Sequence, residues 1–179
     1  PSPTYPNTNG DVANLNIDVT AASTIVVTTS SATPARLGVL YWGDTTGSPV
    51  IGLNIGTSNG DPAVTFNNSG VGAQIIVANT ALSTVSNVFR SGIVLEDNVT
   101  IDAPIANATS VASFNGPISE SGGSFGVTKT GPGYITYNPG VASHTYTGLT
   151  TLLGGRLFLS GGALVNAISG TIRINTPSS

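Results

Sequence analysis

The sequence predicts an all-β chain wound as a parallel β-helix, and three observations carry that prediction. Apolar residues alternate with Thr and Ser in short runs that Gly, Asn or Pro close, as in Val127–Thr130, Tyr134–Tyr137 and Leu157–Leu159. Runs of that length with turns so close together cannot form amphipathic helices, and they suit a sheet that folds back every few residues. Connections rarely read as tight hairpins, Asn9-Gly10 and Asn59-Gly60 being the exceptions. Finally, alternating runs (Leu15, Ile17, Val19) are mixed with fully apolar ones (Ile25-Val26-Val27, Ile75-Ile76-Val77), as expected when each coil stacks its aliphatic residues on the next.

Taken in order, the strands are expected at 14–19, 24–29, 37–41, 50–55, 63–66, 74–78, 92–95, 99–102 and 111–114, and then at 126–130, 134–138, 145–147, 156–160 and 171–175. Residues 78–90 offer the best helical candidate, but their Thr, Ser, Val and Asn content favours strand or loop. Two parts are distinguished. Residues 1–95, with Trp42 and Arg36, form an irregular N-terminal cap and the first coils, and a small β-sandwich is the alternative there. Residues 96–179 are β-helix coils that contain one repeat at about 122–162. No linker composition separates the two parts, which favours one continuous solenoid.

That repeat has a recognisable pattern. Lys129, Thr130, Gly131 and Gly133 are followed by an apolar strand, then Tyr146, Thr147 and Gly148, then Gly154 and Gly155 before Leu157. The segment resembles the autotransporter-associated β-strand repeat (passenger-associated transport repeat) of secreted bacterial surface proteins. Residues 101–123 look like the lead-in that often precedes such a repeat, with a short strand and the turn Ile118-Ser119-Glu120-Ser121-Gly122-Gly123. Pro132, Tyr134, Tyr137 and Leu149 depart from the family's usual residues. The resemblance implies a right-handed, exported, extracellular parallel β-helix with structural or adhesive roles and no catalytic residues to carry over.

Composition narrows the environment. Only 7% of the 179 residues are charged and 39% are hydrophobic, against about 25% charged in ordinary soluble domains. Ser, Thr, Asn and backbone must therefore cover most of the surface. A formal charge of −3 with five scattered cations argues against nucleic acid. Cysteine is absent, so neither disulfides nor thiolate metal sites exist. No apolar run approaches the ~20 residues of a membrane helix. The chain starts at Pro1 without a signal-peptide pattern, and is read as exported with its signal removed, or as a segment of something longer.

Few residues carry a pattern that points to chemistry. His144 is the only histidine and is read as an exposed turn residue. Glu96, Asp97 and Asp102 cluster near Arg90, which invites comparison with polysaccharide-cleaving β-helices, but acids kept at turns for solubility explain them as well. Asn7, Asn9 and Asp11, and Asn59 with Asp61, have the oxygen-rich spacing of weak calcium turns, yet they fit Asx-turns that close a loop. Tyr134 and Tyr137 lie three apart and face opposite sides of a strand, which argues against one aromatic sugar platform.

The expected function is therefore a non-catalytic extracellular structural protein, needing no cofactor or metal. It is read as a protomer of a bacterial surface filament or matrix joined through terminal strands, with other copies or neighbouring repeats as partners. Pro1, Tyr5, Leu15, Ile17 and Val19 form the candidate assembly segment. The alternative is a surface adhesin or carbohydrate-binding stalk that displays the loops at 44–49 and 58–62 to cell-surface glycans.

Overall fold

The computed structural model describes residues 6–17, 25–32, 34–44, 52–77, 87–106, 110–140, 142–160 and 171–174. Among them there is no helix. The chain winds in coils, each laying one strand on each of three faces. The first coil holds β1 (Val12–Ile17), β2 (Ile25–Val27) and β3 (Arg36–Leu37). The second holds β4 (Val39–Asp44), β5 (Leu53–Ile55) and β6 (Val64–Phe66). The third holds β7 (Ala73–Val77), β8 (Asn87–Phe89) and β9 (Ile93–Leu95). The fourth holds β10 (Val99–Asp102), β11 (Ser110–Phe114) and β12 (Ile118–Glu120). Two faces then continue through β13 (Val127–Thr130), β14 (Tyr134–Tyr137), β15 (Thr150–Leu152), β16 (Arg156–Leu159) and β17 (Ile172–Ile174).

Among the described residues every strand pairing is parallel. One sheet runs β1-β4-β7-β10-β13-β15-β17, the second β2-β5-β8-β11-β14-β16 and the third β3-β6-β9-β12. The chain is thus a parallel β-solenoid with about four complete turns, as the sequence led us to expect. The β-sandwich alternative for the N-terminal half is overturned: β1, β4 and β7 pair parallel, not as antiparallel layers. The sheets also run unbroken past residues 95–96, because β10 pairs with β7 and β12 with β9.

Register stacks like on like. In the first sheet Ala13, Leu40, Ile75 and Ile101 form one inward column. In the second, Val27, Ile55, Phe89, Phe114 and Tyr137 form another. Its aromatic members pack edge or face at centroid separations near 6 Å, with Trp42 lying against Phe89 at 5.7 Å and Phe114 at 5.9 Å. Each such side chain, buried by the coils above and below, is worth about 1.5–3 kcal/mol. No coil could bury its inner face alone, so stability here comes from stacking.

Candidate assembly surfaces and the repeat motif

The glycines of the repeat sit where coils cross corners. Gly131 and Gly155 have φ of +72° and +69°, the left-handed region that other residues enter at a cost. A Cβ on Gly133 would lie 2.7 Å from Ala103 Cβ in the coil before, and one on Gly155 2.2 Å from Gly133 O. Gly148 is as tight, with a Cβ falling 2.2 Å from the Phe125 carbonyl. Backbone therefore rests on backbone at these corners, and the spacing of the motif is the spacing of stacked turns.

Lys129 is the least expected member. It occupies the inward column after Ile101 and before Leu152, and is 1% exposed. Its Nζ donates to the carbonyls of Thr130, Gly131 (2.9 Å) and Gly154 (3.3 Å). The ammonium thus ties two successive corners together. Burial lowers its pKa to about 8, while the Asp102 charge works the other way. Asp102 itself accepts from Thr130 Oγ1 at 2.9 Å.

The side chain of Glu120, at the end of β12, fastens the segment around Phe125 and Thr147. It accepts from Thr147 N (2.9 Å), Thr147 Oγ1 (2.6 Å) and Phe125 N (2.8 Å). Burial alone would raise its pKa, but these hydrogen bonds outweigh that and hold it below the ordinary value. Residues 118–120, expected as a turn, are strand β12.

His144 corrects the reading of an exposed turn residue: it is 0% exposed. Along the third sheet Val64 N donates to Gly92 O, and Ile93 N to Pro117 O. The next N–H in that series, of Ile118, donates to His144 Nδ1 at 3.0 Å, and Thr145 N returns to Ile118 O at 2.8 Å. An imidazole thus extends the sheet beyond β12. Because Nδ1 accepts, the neutral ring carries its proton on Nε2, which is buried without a hydrogen-bond partner beside the perpendicular Tyr137 ring, 5.0 Å away. Burial pushes the pKa down to about 4. Tyr146 joins this polar interior by a 2.6 Å hydrogen bond to Thr150 Oγ1. Tyr137 lies buried while Tyr134 is half-buried, on opposite faces as expected.

The acidic cluster is built into the frame. Glu96 accepts from Arg36, which also donates to Asn9, and from Asn67 Nδ2 at 3.0 Å. The nearby cation is Arg36 from another coil, with no ion pair to Arg90 among the described residues. Asp97 is buried and accepts from the backbone N–H groups of Asn68, Gly70, Gly72 and Asn98. The two Asx loops are alike: Asp11 accepts from the N–H groups of Asn7 and Thr8, and Asp61 from those of Thr57 and Ser58. These bonds hold both carboxyls below their ordinary value, and they occupy the oxygens in closing the turns. The 58–62 loop also reaches along the column, Asn59 Nδ2 donating to Pro139 O at 3.3 Å. Among the described residues no set of three His, Cys, Asp or Glu is grouped as for a metal, and no helix is long and apolar enough to cross a membrane.

The remaining candidate surfaces are the ends. Among the described residues β1, β2, β17 and β16 each have one strand partner, whereas Asn7 bridges to Arg36 of β3, and His144 and Thr145 bond to Ile118 of β12. At the first end an apolar hollow of about 330 Å³ is lined by Ala13, Leu15, Val27, Leu37, Ile55 and Phe89, among others. At the other end Leu153, Phe158, Leu159, Ile172 and Ile174 are exposed. Of the candidate assembly segment, Leu15 packs partly buried against the core and Ile17 closes β1, while Pro1, Tyr5 and Val19 lie outside the described residues. The loop expected at 44–49 also falls outside them beyond Asp44.

Comparison of the chain with protein families, with curated proteins and with solved structures returns no match.

Proposed function

We propose that this chain is a non-catalytic structural module of the bacterial cell exterior, a solenoid protomer that builds a filament or matrix by adding terminal strands to one another. One observation carries the reading: among the described residues, two of the three parallel sheets end on strands with a single strand partner at both ends of the column, β1 and β2 at one and β17 and β16 at the other. Unpaired ladder groups are a template for another chain, and soluble proteins commonly blunt them with charge. Here Val12 is 58% exposed at one end and Ile174 68% at the other. The low charge of the whole chain and the resemblance of residues 122–162 to surface-protein repeats support the exported setting. The engagement of Glu96, Asp97 and Asp102 in structural hydrogen bonds supports a role without catalysis.

Electron microscopy of the purified chain tests the proposal. Fibres or sheets one solenoid wide are the expected result. Dispersed particles that bind glycan arrays would favour the adhesin reading instead. Cleavage of an acidic polysaccharide, lost in Asp97→Asn or Asp102→Asn, would replace both with an enzyme.

A further inference from the structure

We infer that the column is electrically polar and that its partner is a second copy stacked head to tail, the β17 end of one chain on the β1 end of the next. The inference rests on the structural reading above and adds the direction of assembly. Because coils follow one another along the axis in sequence order, position in the sequence is position along the column. Of the described residues up to 61, Asp11, Asp44 and Asp61 stand against Arg36 alone, a formal −2. Residues 121–179 carry Lys129, Arg156 and Arg173 and no acid, a formal +3. Lys129 is spent inside the column, but Arg156 and Arg173 are exposed on the last strands of two sheets. Like ends therefore repel and unlike ends attract.

Ladder geometry and apolar surface point the same way. In a parallel sheet alternate residues address alternate neighbours. Val39 N donates to Asp11 O, so Asp11, Ala13 and Leu15 address β4, while Val12, Asn14 and Asn16 address the open side. Thr150 N donates to Thr171 O, so Ile172 and Ile174 address the open side of β17. Two parallel edges of opposite sense complete the ladder without any chain reversing direction. The apolar hollow of the first end then receives the exposed Leu159 of a neighbour, which continues the inward column of Phe114 and Tyr137. Such a heterologous contact does not close on itself, so it propagates.

Single-end blocks test the direction. Val12→Pro removes an N–H from the open edge of β1, and Ile172→Pro removes one from the open edge of β17, leaving the inner ladders intact. Circular dichroism matching the parent chain verifies folding of each. Sedimentation should find each variant monomeric alone and their equimolar mixture as a 1:1 dimer that grows no further. Growth of the parent chain should slow at least several-fold between 50 and 500 mM NaCl, as screening removes the attraction of unlike ends. A variant that still dimerises with itself, or a parent chain whose growth quickens with salt, overturns the inference while leaving self-assembly standing. A parent chain that stays monomeric under all conditions overturns both.

Discussion

Lowering the pH from 7.5 to 4.5 should weaken this fold through one side chain, His144. In the unfolded chain an imidazole takes up a proton below about 6.5. In the folded chain the ring is sealed, Nδ1 is committed to the Ile118 N–H, and protonation waits until about pH 4. Between these values the unfolded state binds more protons, so stability falls as pH falls. At about 1.4 kcal/mol per pKa unit, the loss by pH 4.5 is about 2.5 kcal/mol. Urea unfolding followed by the fluorescence of the single tryptophan, Trp42, buried in the core, reads this directly. His144→Asn keeps an acceptor for Ile118 and removes the titration, so its stability should stay nearly level over the same range. Parallel losses in the parent chain and His144→Asn would refute the reasoning, because the proton would then be going elsewhere.

Other outcomes follow from the same geometry. Gly133→Ala should destabilise by about 3 kcal/mol or prevent folding, since its Cβ falls 2.7 Å from both Ala103 Cβ and Ile105 O; Gly70→Ala, with φ +84° and open space around it, should cost only about 1 kcal/mol. Thermal unfolding compares the two. Stability should rise between pH 8 and 9.5 as the buried Lys129 ammonium, whose pKa lies near 8, loses its proton in the folded chain before the unfolded one. Lys129→Met should abolish that rise in denaturant titrations. Glu120→Gln should speed hydrogen exchange at the Phe125 and Thr147 amides, whose shared carboxylate acceptor it removes. In the parent chain the contribution of Glu120 holds above the ordinary carboxylate range and is lost as pH falls through its depressed value.

How much of this is legible in the residues alone depends on how clearly each short run shows an apolar pattern. Four-residue alternating runs such as Val99–Asp102 and Val127–Thr130 carry a visible period, and the strands lie within a residue of where that period places them. Three-residue strands are legible where the run is wholly apolar, as in Ile25–Val27 and Ile93–Leu95, whereas Asn87–Phe89, Ile118–Glu120 and Thr150–Leu152 contain Asn, Ser, Glu or Thr and the sequence places no strand there. Residues 145–147, expected as a strand, carry no strand; Tyr146 is buried there by its Thr150 contact. The run at 37–41 is two strands, β3 and β4, because Gly38 turns a corner where a Cβ would meet Gly10 at 2.6 Å. Lys129 had a signal that chemistry obscured: it shares parity with inward Val127, but lysine reads as a surface residue unless its ammonium can find carbonyls. His144 gave no local signal, because its partner Ile118 lies 26 residues away.

The central claim is that unsealed coils continue from one molecule into the next. Cryo-electron microscopy of the assembled protein tests it most directly. The account predicts a column in which β17 of one copy lies about 4.8 Å from β1 of the next, parallel and in ladder register. Columns that meet side by side, or end on end with like termini joined, would contradict it.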